Sequence, residues 1–109
     1  MITNNFIYSD CYELERANEY FGKIATTISG GECAKWAELD WDELEIQDPY
    51  FPENSVTDAE NYCRSPDYDP QPWCWAYDED GSGDWNGLEF GYCNVPICRG
   101  IFQSIINFN

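Results

Sequence analysis

NYCRSPDYDPQPWCW, residues 61–75, packs two cysteines, three prolines, two aspartates and two tryptophans into fifteen positions. Its middle, SPDYDPQP (65–72), is made of turn-setting residues. Proline fixes its own backbone, and Ser and Asp side chains bond to nearby main chain. No interior helix passes through such a segment, so Cys63 and Cys74 are joined by a turn. Working outward, the same punctuation recurs as SGG at 29–31, DPYFPEN at 48–54 and DGSGDWNG at 80–87. Between these turns only short segments fit, and no internal repeat is present. One stretch, WAELDWDELEI (36–46), allows a helical turn or two. Its charges are all acidic, so no opposite-sign pair one turn apart supports it.

Six cysteines in 109 residues, with abundant Gly, Pro and aromatics, point to an oxidised disulfide framework. Zinc is the competing reading. It wants CxxC-like pairs, and cysteines at 11, 33, 63, 74, 93 and 98 supply none. Fifteen pairings are open to six cysteines, and spacing alone does not choose among them.

Composition removes whole classes of function. With 5 basic and 21 acidic residues the formal charge is −16, which suits neither nucleic acid nor an anionic membrane surface. Histidine is absent, and with it Ser-His and Cys-His catalysis, HExxH zinc chemistry and imidazole switching. The chain is nonetheless 43% apolar, with 5 Trp, 8 Tyr and 6 Phe, enough to fold around a small core. No stretch is long enough to span a bilayer. The start, MITNNFI, has neither the basic residues nor the apolar run of a secretory leader, so the expectation is a mature segment or a domain of a longer secreted protein.

Four motifs now stand in order. Tyr20-Phe-Gly22, Thr26-Thr27, Ser29-Gly30 and Cys33-Ala-Lys-Trp36 resemble the opening of a kringle domain. Asn61-Tyr-Cys-Arg-Ser-Pro-Asp67 is similar to the kringle NYCRNPD signature, Pro72-Trp-Cys74 to its PWC, and Tyr92-Cys93-Asn-Val-Pro-Ile-Cys98 to its YCxVPxC ending. The resemblance implies a small disulfide-rich disc of short antiparallel β-segments and turns, with little helix. It also implies the pairing Cys11–Cys98, Cys33–Cys74 and Cys63–Cys93. The domain would run over residues 11–98, between an N-terminal extension 1–10 and an apolar C-terminal extension 99–109.

Many kringles are non-catalytic modules that take up a lysine side chain. An ammonium needs fixed negative charge, and its alkyl stem needs an apolar trough. By resemblance, Asp67 and Asp69 would hold the ammonium, and Trp73, Trp75, Phe90 and Tyr92 would line the stem. Kringles that prefer a free carboxylate on the ligand add a basic residue at the far end. Here Glu89 precedes Phe90 and no basic residue lies between Leu39 and Tyr50. The expectation is that a bare alkylamine or an internal lysine is accepted and a carboxylate repelled. The other reading makes Trp36 and Trp73 core aromatics and the Asp pair a plain surface turn.

The segment between the fourth and fifth cysteines is longer than the family's usual short hairpin. From Asp78 to Glu89 it follows the calcium-loop pattern D-x-[DN]-x-[DN]-G-x5-E, with Ser82 at the third ligand position. Asp78, Asp80, Ser82, Asp84 (through its carbonyl), Asn86 and Glu89 would supply the six to eight oxygens calcium wants. Strands rather than helices flank it, so this would be an isolated calcium loop. An acidic, glycine-rich turn without metal is the alternative.

From Glu38 to Glu60 there are nine acidic residues and no basic one, a pattern read as a solvated face. Outside the cysteines lie Phe6-Ile7-Tyr8 and the apolar run Ile101, Phe102, Ile105, Ile106 and Phe108. Such tails either pack on the disc or reach a neighbouring subunit by strand addition. Two functions follow. One is a secreted, non-catalytic module binding amine or lysine groups of a protein partner. The other is a structural subunit of an extracellular assembly or filament, joined through its tails.

Overall fold

Aromatic and small residues alternate along Trp73-Cys-Trp-Ala-Tyr77, a pattern that suits a pleated strand with one face against a core. This strand, β1 (Trp73–Tyr77), pairs antiparallel with β2 (Leu88–Tyr92) in the computed structural model of the chain. The register sets Trp73 opposite Tyr92, Trp75 opposite Phe90 and Tyr77 opposite Leu88. Partners in register share a face, so these six side chains belong to one side of the hairpin. Cys74 and Ala76, both buried, belong to the other.

The structure describes residues 10–39, 46–77 and 87–98. The tail clusters Phe6-Ile7-Tyr8 and Ile101 to Phe108 lie outside the described residues. So do five members of the expected calcium loop: Asp78, Asp80, Ser82, Asp84 and Asn86.

A second turn, over Thr26–Glu32, straps the hairpin. Its Thr27 N–H donates to the Gly31 carbonyl at 2.9 Å, and Gly30 adopts the left-handed φ of 96° that the tight reversal requires. One arm bonds β2, through Ile28 N–H to the Tyr92 carbonyl at 2.8 Å. The other bonds β1, through Ala34 N–H to Trp75 at 2.8 Å and Tyr77 N–H to Glu32 at 2.9 Å.

The three disulfides are Cys11–Cys98, Cys33–Cys74 and Cys63–Cys93, the pairing the resemblance implied. The two inner bridges lie side by side in the core, with their four Sγ atoms within 4.8 Å of one another. All four sulfurs are consumed in bridges, so the cluster offers no thiolate to a metal. The outer bridge closes the disc where Tyr12 pairs with Ile97.

Around the sulfurs sit Trp36, Trp73, Tyr20 and Phe51, all buried. Trp36 meets Phe51 and Trp73 edge-on at 5.3 and 5.2 Å between ring centroids. Its indole N–H donates to the Tyr62 carbonyl at 2.6 Å, so its polar atom is satisfied. Helix is confined, among the described residues, to three single 3-10 turns: Ala17–Glu19, Trp36–Glu38 and Asp48–Tyr50. Of the stretch 36–46, expected to hold a helical turn or two, the described residues form one turn, Trp36–Glu38. Leu39 is already extended, with φ −84° and ψ 157°, and residues 40–45 are outside the described set.

Candidate functional site

The segment from Arg64 to Trp73 is a closed loop standing on the hairpin. Its two ends exchange backbone hydrogen bonds, Arg64 N–H to Trp73 at 3.1 Å and Trp73 N–H to Arg64 at 2.9 Å. Within it the buried Ser65 hydroxyl donates to the Asp69 carbonyl at 2.8 Å, and the Tyr68 N–H donates to the Ser65 carbonyl at 3.2 Å. The Asp69 N–H donates in turn to Asp67 Oδ1 at 3.2 Å. Short polar side chains that bond to their own turn are the reason Ser and Asp stand here.

Both aspartates are tied down onto the aromatic face. Asp67 Oδ1 accepts from the Trp73 indole N–H at 2.8 Å, and Asp69 Oδ2 accepts from the Tyr92 hydroxyl at 3.1 Å. Below them the rings form a continuous surface. Phe90 lies 5.1 Å from both Trp73 and Tyr92, and Trp75 lies 6.1 Å from Phe90. The structure therefore brings together all six residues expected to hold an amine: Asp67, Asp69, Trp73, Trp75, Phe90 and Tyr92.

Their parts differ from the expectation in one respect. Trp73 is only 4% exposed and packs on Trp36, so it underlies the trough as its floor. Phe90, 40% exposed, with half-buried Trp75 and Tyr92, forms the accessible surface. Trp36 and Trp73 are thus core aromatics, in one stack with the more accessible rings of Trp75, Phe90 and Tyr92.

The charge at the site is negative. Among the described residues no ion pair engages Asp67 or Asp69, which leaves their carboxylates available to a cation. Tyr92 is pushed above the ordinary tyrosine range, first by loss of hydration and then by its bond to Asp69 and the charges of Asp69 and Asp67. The phenol thus stays neutral and keeps its proton, which it donates in the bond to Asp69.

Glu89 departs from its expected place. The register sets it opposite Ala76, on the hairpin face away from Trp75, because side chains alternate along a strand. There it borders an open cavity of about 740 Å³, with Thr27, Gly31, Glu32, Ala76 and Phe90. It is also the one member of the expected calcium set among the described residues.

Sequence reading passed over two features. Arg64 is 1% exposed, pairs with Glu53 through Nε at 2.9 Å, and donates from Nη1 to the Gly22 carbonyl at 2.9 Å. The rings of Tyr20 and Tyr62 lie 5.4 Å from its guanidinium carbon. This buried cation holds the base of the loop. Tyr68, between the two aspartates, has a left-handed φ of 64° and is 69% exposed. Its only sequence signal is its place inside the Asp-x-Asp turn.

Comparison with known proteins agrees with the fold. The family model described as kringle domain matches residues 11–98, from the first cysteine to the last. Kremen protein 1 of Xenopus laevis is 29% identical over 105 residues, covering 91% of this chain and 21% of that protein. The chain thus spans about a fifth of the length of that curated relative.

Proposed function

This chain belongs to the kringle family, whose members are non-catalytic protein-interaction modules, and from that footing we propose that it binds lysine side chains of a protein partner outside the cell. The observation that carries the reading is the fastening of Asp67 and Asp69, by Trp73 and Tyr92, over the exposed ring of Phe90. Two fixed carboxylates above an apolar trough match an ammonium on an alkyl stem, and the alternative ligands fit less well. An anion meets two aspartates, and a purely apolar group leaves both carboxylates unanswered. Three disulfides support an extracellular setting, where such bridges persist.

A tryptophan-fluorescence titration with pentylamine and with 6-aminohexanoate tests the proposal. Saturable quenching by pentylamine is expected, with affinity reduced roughly fivefold by Asp69→Asn, the upper end for a solvent-exposed charge pair. Absence of any response to pentylamine refutes the amine reading. The expectation that no cation answers a carboxylate on the ligand now rests only on the absence of basic residues between Leu39 and Tyr50. Tighter binding of 6-aminohexanoate overturns it. Repeating the titration with calcium and with chelator tests the proposal that the 78–89 loop holds calcium. Unchanged heat stability in chelator counts against that metal.

A further inference from the structure

Tyr68 is the most exposed of the large apolar residues described, at 69%, yet its backbone is among the most constrained. A bulky residue at φ 64° is a conformational outlier, since its Cβ crowds the following carbonyl. Glycine or asparagine would sit there at less cost. The loop enforces the conformation through the Ser65–Asp69 bond and the bond from Asp69 N–H to Asp67. Strain of this kind persists where surroundings over-determine it, and it concentrates at ligand contacts. On the loop residue that separates Asp67 from Asp69, the strained backbone thus leaves an aromatic ring exposed to solvent. Among the described residues it meets no other ring.

We infer that Tyr68 is the contact for a second cation, so that this face recognises two neighbouring basic side chains of a partner. One ammonium sits at Asp67 and Asp69, and an adjacent guanidinium or ammonium lies against the Tyr68 ring. The inference rests on the amine reading of the cup. An aromatic face attracts a cation through its quadrupole, and flanking carboxylates add to that attraction. Charge complementarity points the same way, because a chain at −16 draws a basic segment and repels an acidic one. Arg64, the nearest basic residue in sequence, is buried on Glu53 and does not compete for the ring from within.

The test compares the protein with Tyr68→Gly and Tyr68→Phe, by calorimetry, against three ligands. These are pentylamine, N-acetyl-Gly-Lys-Gly-Gly-amide and N-acetyl-Gly-Lys-Arg-Gly-amide. Glycine suits the left-handed backbone, so Tyr68→Gly keeps the fold while removing the ring. The unaltered protein is expected to prefer the Lys-Arg peptide over the Lys-Gly peptide. Tyr68→Gly is expected to lose about two- to fivefold of that preference, the range for a cation on an exposed ring. Tyr68→Phe retains it, and pentylamine affinity is the same in all three proteins. General attraction to the acidic surface survives in Tyr68→Gly, so an equal preference in that variant, with pentylamine still bound, overturns the inference and leaves the cup intact. If pentylamine and both peptides fail to bind the unaltered protein, the amine reading falls and this inference with it.

Discussion

Asp67 uses one carboxylate for two purposes, and substitution separates them. Its Oδ1 anchors the indole N–H of buried Trp73, while its charge faces the trough. Asp67→Asn keeps an acceptor oxygen and removes the charge, so stability should hold while pentylamine affinity falls. Asp67→Ala strands a buried indole N–H and should cost about 1–3 kcal/mol in urea unfolding as well. The paired measurements, one of stability and one of affinity, distinguish a charge effect from a packing effect. Tyrosine titration gives a second prediction at this scale. Burial raises Tyr20, and lost hydration with the Asp69 bond raises Tyr92. A phenol whose folded pKa lies above the unfolded value of about 10 stabilises the fold fully below that pH, and the contribution vanishes as pH climbs through the folded value. Tyrosinate absorbance should therefore show late-ionising groups, one removed by Tyr20→Phe and one by Tyr92→Phe. Stability should decline from about pH 10 upward, and a single uniform tyrosine transition near pH 10 would contradict this.

At the scale of elements, the strap over the hairpin depends on how closely Thr27 approaches β2. A Cβ added at Gly91 would lie 2.8 Å from Thr27 Cγ2 and 3.1 Å from its Cβ. Thr27 has little room to yield: it is buried, bridges to Cys93, and its hydroxyl accepts from Gly31 N–H at 2.9 Å. Gly91→Ala should destabilise by about 1–3 kcal/mol as overpacking, and adding Thr27→Ser, which removes Cγ2, should restore part of the loss. A double mutant no more stable than Gly91→Ala alone would place the strain elsewhere. The residues of the hairpin were legible in the sequence because Trp73, Cys74 and Trp75 sit in a dense motif, and the disulfide pairing followed from resemblance alone. Register was less legible. A one-residue change of face turns every side chain over, and nothing in the string around Glu89 tells which side Ala76 occupies. The left-handed Tyr68 was invisible because turn composition does not report the φ of each residue. Glu53 was read with the acidic band as solvated, whereas its partner Arg64 draws it to a side-chain exposure of 9%. Glu38, Asp48, Asp58 and Glu60 of the same band are exposed as read.

For the molecule as a whole, covalent closure and self-repulsion act against each other. The Cys11–Cys98 bridge joins positions 87 apart in sequence and limits the unfolded chain, worth about 4–5 kcal/mol on the loop-entropy model. The inner bridges sit in the core and their loss would also open cavities, whereas the outer bridge lies at the edge where Tyr12 meets Ile97. Replacing Cys11 and Cys98 together by serine should therefore lower stability by about 2–5 kcal/mol, with the inner bridges still formed. Against this stands the charge of −16, much of it on exposed carboxylates with few cations to offset them. Repulsion of this kind is relieved by salt, since screening shortens from ~30 Å at ~0.01 M to ~3 Å at ~1 M. The variant lacking the outer bridge, being nearer its unfolding threshold, should show the effect most clearly: its urea midpoint should rise as sodium chloride is added. Affinity should move oppositely, because screening weakens the attraction between this surface and a basic peptide. The Lys-Arg peptide, carrying one cation more, should lose more affinity to salt than the Lys-Gly peptide. A urea midpoint that falls with salt would show that exposed local pairs, such as Arg16 with Glu13 and Glu19, outweigh the summed repulsion.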